Sequence, residues 1–491
     1  MKSISTFAPS LVPRPLAWAV LACAGFLSAC ANTDLHPQSR ITAASSVLGS
    51  PATESPAVSP AVWPTSSWWK SFGDPQLNDL VDEGLTDSPT LKMAAARIRL
   101  ANAVLGAADA NLGPHLDGTF SSTRERFSSN GTTPHPVAGT WQTVNQGVLT
   151  GGYEIDFWGK NAEGLQAAIG RARATEVDSH AARLMVSSAI VQAYIALAQT
   201  EDQLDIERRL LDQQQKLLGL TQKRMAAELD SRLDLKQSEA ALPATRATMA
   251  ALNEKLELNR NRLATLVGQG PERGKTITRP HLTLPPSAAV PASLTAELVG
   301  RRPDIVAQRW RVEASAHDIE VAKARFYPNV NITAFLGLQS LGFDNLDQGK
   351  SRILGVGPAI SLPIFDAGRL RANLAGQDAA YDMAVEAYNA TLLDAARDIA
   401  DQLSSLRWLQ ERLSQQRLAV TTASEAEGLA QKRYAGGLGT YIQVLVTQNA
   451  VLAQRRQLSL LDSRALALQA QLSRALGGGY SPSAETDQTA S

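Results

Sequence analysis

The segment IVQAYIALAQTEDQLDIERRLL (residues 190–211) decides the fold, because a large aliphatic side chain recurs in it at every seventh position. Ile190, Leu197, Leu204 and Leu211 form this ladder, and such a ladder is the seam of a coiled coil. The segment IADQLSSLRWLQERLSQQRLAV (residues 399–420) carries the same ladder 209 residues later. The two segments therefore predict two long helices of coiled-coil type.

The same offset of 209 residues continues beyond the ladders. It places LTQKR (residues 220–224) on LAQKR (residues 429–433) and Gly159 on Gly368. Upstream the offset becomes 214 residues, as the following pairs show: Pro89 and Pro303, Ala110 and Ala324, Pro114 and Pro328. The sequence therefore contains an internal repeat of two copies. The change of offset predicts a longer loop in one copy, between positions 114 and 159.

Proline sets the length of the predicted helices. The chain has 24 prolines, yet none lies in residues 137–242 or 364–481. A proline inside a helix costs about 3 kcal/mol or more, so these windows can hold very long helices. We predict helices over residues 160–228 and 369–435, each roughly 100 Å long at 1.5 Å per residue. Two shorter helices stacked end to end in a bundle are the alternative.

Alternating apolar and polar residues predict a β-hairpin before each long helix. In copy one the strands lie at about 116–127 and 146–157, within a hairpin of about 115–157. In copy two the hairpin covers about 329–366, with strands near 330–335 and 356–364. Strands of this length suit a membrane barrel, and they suit a soluble hairpin equally well.

The N-terminus has the features of a secretory signal. Lys2 and Arg14 precede an apolar run of about a dozen residues, which is too short to span a membrane. The next residues, Leu27-Ser28-Ala29-Cys30, resemble the lipobox of bacterial lipoproteins. This resemblance implies cleavage before Cys30 and acylation of Cys30, and Ala31 at the second mature position favours the outer membrane. An ordinary secretory signal with an incidental cysteine is the alternative.

Composition excludes several classes of function. Lys and Arg total 47, as do Asp and Glu, so the net charge is zero and no basic field exists to attract nucleic acid. Cysteine occurs only at Cys23 and Cys30, and the six histidines show neither metal-ligand spacing nor a nucleophile motif. We therefore predict no enzyme activity, cofactor or metal site.

The number of strands sets a minimum assembly. Two hairpins give four strands, and an open sheet edge is not tolerated in lipid, where barrels need at least about eight strands. The chain must therefore oligomerise if the strands enter a membrane. A dimer would give eight strands and a plugged barrel, and a trimer would give twelve strands and a lumen.

Three motifs, taken in order, resemble the TolC/OprM (NodT-type) family of outer-membrane efflux lipoproteins. They are RRPDI (residues 301–305), FYP (residues 326–328) and FDAGR (residues 365–369). The resemblance covers essentially all of the mature length. It implies a mixed membrane α/β fold, in which four strands per chain join a trimeric 12-stranded outer-membrane barrel that continues into a periplasmic α-helical coiled-coil tunnel.

The resemblance also implies partners and a function. The family forms a homotrimer in contact with outer-membrane lipid, and it docks with a periplasmic adaptor (membrane fusion) protein and an inner-membrane pump of the RND or another class. The channel is a passive exit duct for drugs or other small toxic compounds. The alternatives from other classes are a structural or adhesive lipoprotein that only bridges the periplasm and, third, a secreted enzyme.

The predicted organisation follows. Residues 1–29 are a lipoprotein signal peptide, residues 30–64 a lipid-anchored tether rich in Pro, Ser and Ala, and residues 479–491 a disordered tail. Residues 65–282 and 283–478 are the two repeats, each with a helix, a hairpin, a long helix and a return helix.

The chain reversals after the long helices, residues 225–234 and 434–443, are the predicted tips. The resemblance places them at the periplasmic gate, where the family commonly has carboxylates at two positions held here by Gln443 and Val446. A ring of Val446 would close by apolar contact and dewetting. The resemblance also pairs an aspartate of copy one, which we assign to Asp234, with Tyr434; Asp230 is the other acidic candidate. Solvated turn residues without a role are the alternative.

We predict that the mature wild-type protein carries lipid on Cys30 and that Cys30→Ser abolishes acylation. The variant should still assemble, because the barrel itself holds the protein in the membrane. Intact-mass measurement of the mature protein tests this, and a wild-type chain without lipid would contradict the lipobox interpretation.

Overall fold

The structure is a computed structural model, which describes residues 36–43, 46–47, 63–285 and 300–481. The predicted signal peptide with Cys30, most of the tether and nearly all of the predicted tail lie outside the described residues.

Copy one contains two short helices, a hairpin, a very long helix and a return helix. A 3₁₀ turn at Trp68–Phe72 precedes α1 (Pro75–Asp87), α2 (Pro89–Ala110), β1 (His115–Arg126), β2 (Trp141–Ile155), α3 (Lys160–Ala226), α4 (Arg232–Leu266) and the short α5 (Pro271–Lys275).

Copy two repeats the central elements of copy one in the same order. These are α6 (Pro303–Ala324), β3 (Asn329–Leu341), β4 (Arg352–Ser361), α7 (Arg369–Ala435) and α8 (Tyr441–Ala475). Both long helices have 67 residues and both return helices have 35. The internal repeat is confirmed, and the alternative of two shorter stacked helices is wrong.

The long helices begin and end where the backbone leaves the helical region. Gly159 and Gly368, one residue before α3 and α7, have φ of 73° and 89°, which a residue with a side chain rarely adopts. At its other end α3 stops at Ala226, two residues before the predicted end, because Glu228 has a φ of 60°.

Among helices of the described ranges, α3 alone is long and apolar enough to cross a membrane. Half of its most apolar window is buried among protein side chains, as in the core helix of a folded protein. The buried residues include Ile190, Leu197 and Leu204 of the heptad ladder. The ladder therefore packs inside the protein, where Trp68, Leu77 and other apolar residues contact the same core.

The four strands form one antiparallel sheet in the order β1-β2-β3-β4. The central pair joins the two copies, since β2 pairs with β3, and the outer strands β1 and β4 are the two edges. Several strand limits differ from the predictions: β3 continues to Leu341, six residues beyond the predicted end, and β4 begins at Arg352, four residues early. β2 begins five residues early because Trp141 pairs with Arg126, and β4 ends at Ser361, before Pro363, which has no N–H to donate to a ladder.

The two faces of the sheet have opposite character. One face carries exposed apolar side chains, with Leu354 and Val356 exposed to 75% and 79%. Other members of this face, which we call the apolar face, are Leu116, Phe120, Leu149, Tyr153, Ile332, Leu336 and Ile360. The other face is mostly polar. A soluble hairpin would bury such an apolar face, so the sheet fits a membrane-facing barrel wall.

Contacts divide the chain into two compact units that do not coincide with the repeats. The first unit combines Asn102–Ala172 with Arg311–Glu386 and contains the whole sheet. The second contains Arg173–Trp310 and the chain from Ala387 onward. Each unit therefore takes equivalent elements from both copies.

The RRPDI motif is a structural junction within the second unit. Pro303 is the first residue of α6, as its position in the motif predicts. The buried Arg302 donates to Asp304 at 2.7 Å, to Asp398 of α7 at 3.5 Å and to the Ala475 carbonyl at 3.2 Å. This arginine therefore joins the start of α6 to α7 and to the end of α8.

Part of the predicted tether is bound along α7. The backbone amides of Gln38 and Ser39 donate to Asp382 Oδ1 at 2.9 and 2.8 Å. The amide of Thr42 donates to Asn389 Oδ1 at 2.8 Å, about two turns further along α7. Over these residues the chain before the first repeat is held by side chains of copy two.

Candidate functional site

The two chain reversals after the long helices have the same backbone. Glu228 and Gly437, which the repeat aligns, have φ of 60° and 75°. The amide of Leu229 donates to the Arg224 carbonyl at 2.9 Å, and the equivalent amide of Leu438 donates to the Arg433 carbonyl at 2.8 Å. The repeat therefore extends through the turns, although only copy two has the glycine that this backbone prefers.

Each return helix begins with a capping box. In copy one the Ser231 amide donates to Asp234 Oδ2 at 3.0 Å, and the Asp234 amide donates to Ser231 Oγ at 3.2 Å. In copy two Thr440 and Gln443 have the same arrangement. The side chains of Asp234 and Gln443 therefore accept from the amides of the N-cap residues Ser231 and Thr440, just before α4 and α8.

Asp230, rather than Asp234, is the partner of Tyr434. The Tyr434 hydroxyl donates to Asp230 Oδ2 and lies 3.1 Å from Thr221 Oγ1. Arg224 donates to both Asp230 oxygens at 3.1 Å and to the Tyr434 carbonyl at 2.9 Å. Our assignment of Asp234 to this pairing is wrong, because the capping box already engages its carboxylate.

The cluster of Thr221, Arg224, Asp230 and Tyr434, which we call the tip cluster, is buried. Tyr434 has no exposed surface, and the Asp230 side chain is 7% exposed. Burial, together with the hydrogen bond to Asp230, raises the pKa of Tyr434 to about 12, so the phenol remains a neutral donor. The hydrogen bond to Asp230 raises the pKa of Arg224. The alternative of solvated turn residues is therefore wrong for Tyr434, which is fully buried, while Asp234 lies in the capping box.

An aromatic and apolar layer supports the tip cluster. The Arg224 guanidinium lies 4.5 Å from the centre of the Tyr434 ring, and Tyr441 contacts that ring edge-on at 6.0 Å. Leu217 and Val444 complete the buried group. The cluster therefore links α3 with both α7 and α8, so each chain ties its two chain reversals together.

The cluster depends on differences between the copies. The repeat aligns Asp230 with Gly439 and Tyr434 with Met225, so each copy supplies one half of the pair. Arg224 and Thr221 were not among the predicted site residues. The sequence feature that points to Arg224 and Thr221 is the pair of matching segments LTQKR and LAQKR. On their own these segments indicate only the internal repeat.

Several apolar side chains are exposed at the tips. Val446 is 61% exposed and lies on α8, two turns from the chain reversal. Other exposed apolar side chains of the tips are Leu229, Leu233, Leu438 and Ile442. No group of three or more His, Cys, Asp or Glu side chains that could hold a metal occurs in the described ranges.

The sequence profile of the family described as "Outer membrane efflux protein" matches residues 80–269 and 294–478. These two stretches correspond to the two copies of the repeat, and together they cover well over half of the chain. The chain belongs to the outer membrane efflux protein family.

Named relatives and solved structures agree with this assignment. The chain is 36% identical over 371 residues to the fusaric acid resistance protein FusA of Burkholderia cepacia, covering 74% of this chain and 69% of the relative. It is 32% identical over 426 residues to the multidrug resistance outer membrane protein MdtP of Escherichia coli K12, covering 85% and 87%. The outer membrane protein VceC of Vibrio cholerae has a TM-score of 0.80 at 38% identity, covering 85% of this chain and all of that one.

Membership of the outer membrane efflux protein family confirms the predicted fold class and location. Three copies of the four-stranded sheet form a 12-stranded barrel in the outer membrane, and the long helices form a helical tunnel. The family and its solved members are channels rather than enzymes.

We predict that Tyr434→Phe loosens the tips. The variant removes the hydroxyl that donates to Asp230, and losing a hydrogen bond to a charged group costs about 1.5 kcal/mol. Amide exchange at Leu229 and Leu438 should therefore accelerate about tenfold if it follows local opening. Hydrogen–deuterium exchange of the detergent-solubilised protein measures this.

Tyr388→Phe is the matched control, since no hydrogen bond of its hydroxyl is found within the described part of the chain and it lies on α7 far from the tips. Exchange at the tips should be unchanged in this control. Wild-type exchange rates in Tyr434→Phe would show that the tip cluster does not hold the chain reversals.

Proposed function

We propose that the protein is the outer-membrane exit duct of a tripartite efflux pump. The observation that carries this proposal is a sheet with an exposed apolar face joined to two 67-residue helices, in a chain of the outer membrane efflux protein family. A barrel wall and helices of roughly 100 Å give one continuous path from the periplasm to the exterior. The proposed assembly is a homotrimer with a periplasmic adaptor and an inner-membrane pump of the RND or another class.

The proposed cargo consists of drugs or other small toxic compounds. The names of the relatives support this, since they include multidrug resistance and fusaric acid resistance proteins. Transport through the duct is passive in this proposal, and the inner-membrane pump supplies both the energy and the choice of compound. Lipid anchoring at Cys30 belongs to the same proposal.

The tips are the proposed gate of the duct. The tip cluster keeps the two chain reversals of one chain together, and Val446 is placed on the exposed surface of α8. Three copies of Val446 around the axis would form an apolar constriction, which closes by excluding water. Asp230 is bound by Arg224 and Asp234 by its own helix cap, so neither supplies a free carboxylate ring.

We predict that the wild-type channel conducts in planar bilayers and is blocked weakly by trivalent cations added from the tip side. Val446→Asp should introduce three carboxylates around the axis, whose mutual repulsion a multivalent cation relieves. The variant should therefore be blocked strongly. Single-channel recording with hexamminecobalt(III) measures both effects.

Leu418→Asp is the control, because it adds the same charge at an exposed position of α7 that lies away from the tips. It should behave like the wild type. Strong block of the wild type would contradict the apolar gate, and equal block of all three proteins would mean that Val446 does not face the axis. A protein that inserts as a trimer and never conducts would favour the alternative of a periplasm-bridging structural lipoprotein.

A further inference from the structure

The two faces of the sheet differ in charge as well as in polarity. Within the four strands, the apolar face carries every arginine and no carboxylate, whereas the opposite face carries every carboxylate and no lysine or arginine. The arginines are Arg124, Arg126 and Arg352, and the carboxylates are Asp117, Glu125 and Glu154. This separation of arginines and carboxylates on opposite faces needs an explanation, because an arginine side chain on a surface that faces hydrocarbon is destabilising.

The strand registers order the residues of the apolar face along the strands. Residues that pair across the sheet are assigned to one level, which is a register position along the strands, and the lower levels are apolar, beginning with Ile155, Val330 and Ile360. The upper levels follow in this order: Phe120, Gly147, Leu338 and Arg352; then Ser122, Asn145 and Ser340; then Arg124 and Thr143; then Arg126 and Trp141.

These levels locate the lipid headgroups. The strand is about 27 Å long from Val330 to Leu338. At the usual tilt of barrel strands near 40°, this length spans about 20 Å along the membrane normal. This is close to the roughly 25 Å apolar band of outer-membrane barrels. The arginines therefore lie at and above the upper border of the hydrocarbon, on the side of the hairpin loops.

Two further features mark this border. Asn145 has no exposed surface, and its amide oxygen accepts a hydrogen bond from Ser122 at 2.7 Å at the first polar level. Trp141 is 61% exposed at the highest level, and tryptophan favours the boundary between hydrocarbon and water. Across the described residues, Arg124 and Arg352 are exposed and form no ion pair with a carboxylate.

Closure of the barrel brings the arginines together. Arg124 and Arg126 lie on β1 and Arg352 lies on β4, and these are the two edge strands. In a ring of three copies, β4 of one copy can pair only with β1 of the next. Each seam between copies is therefore bordered by arginines from both sides.

A groove on the apolar face reaches the same place. It has a volume of about 570 Å³ and is floored by Gly118 and Gly147, where missing side chains leave space between larger neighbours. Its walls are Phe120, Leu149, Leu336 and Leu338, and Arg352 stands at its border. An apolar groove that ends at an exposed guanidinium matches a lipid that carries an acyl chain and a phosphate headgroup.

We propose that the arginines at each seam bind the phosphates of an anionic lipid in the outer leaflet of the membrane, with an acyl chain in the groove. Arginine is suited to this because its planar fork donates two hydrogen bonds to one phosphate. A free phosphate ion would leave the groove unfilled, so the occupant is a lipid. The proposal rests on the three-copy barrel and is independent of the exported compound.

The test compares two lipids that differ only in phosphate. Radiolabelled bisphosphorylated lipid A and its dephosphorylated form are titrated into the full-length, detergent-solubilised channel, and bound lipid is counted after gel filtration. The wild type should retain the phosphorylated lipid at one molecule per seam and bind it preferentially. Each of Arg124→Gln, Arg126→Gln and Arg352→Gln should weaken this binding roughly fivefold, from about 1 kcal/mol per arginine near an anionic surface.

Two variants serve as controls. The triple Lys variant of the same three positions keeps the charge and should retain most of the preference, whereas the triple Gln variant should lose it. Arg412→Gln removes an exposed arginine from α7, away from the sheet, and should bind lipid like the wild type.

Three results would overturn the proposal: equal wild-type binding of both lipids, unchanged preference in the triple Gln variant, or loss of the preference on adding inorganic phosphate alone. The elution position of each sample reports its assembly. If a variant loses both the trimer and its preference for the phosphorylated lipid, the arginines act in assembly rather than in lipid binding. This result would also overturn the proposal.

Discussion

Backbone hydrogen bonding at the edges of a four-stranded sheet constrains the whole molecule. β1 and β4 each present a row of amides and carbonyls that no strand within the described part of the chain pairs. In hydrocarbon each such group costs several kcal/mol, so the edges must pair with other copies. The same closure explains why one face of the sheet is apolar and exposed while the other is polar, since closure gives one face to lipid and the other to water.

Duplication of one unit builds both the barrel and the tunnel. The second copy repeats the helix limits of the first, with 67-residue and 35-residue helices in each. The compact units do not follow the repeat. Each unit contains the equivalent elements of both copies, which pack with each other. Asymmetry enters at the tips, where Asp230 of copy one binds Tyr434 of copy two, while their counterparts, Gly439 and Met225, cannot form this bond. The two chain reversals of one chain are therefore bound to each other by this hydrogen bond.

The sequence predicts the ends of the long helices to within two residues. The proline-free windows bound the helices, and the repeat gives the same limits in both copies. The sequence places the strand ends less well, since the pairing of Trp141 with Arg126 depends on a partner strand rather than on local pattern. The Ser-x-x-Asp spacing of Ser231 and Asp234 predicts a capping box that engages Asp234, and this leaves Asp230 as the partner of Tyr434. The lipid-facing arginines could be separated from the lumenal carboxylates only once the strand registers were known.

The mass of the detergent-extracted assembly tests the account most directly, because edge pairing fixes the number of chains. Native mass measurement should give three chains, since three sheets of four strands close a barrel with a lumen. A single chain would mean that the edges stay open or pair in another way, and a dimer would give a plugged eight-stranded barrel. Either result would contradict the account of this protein as one third of a channel.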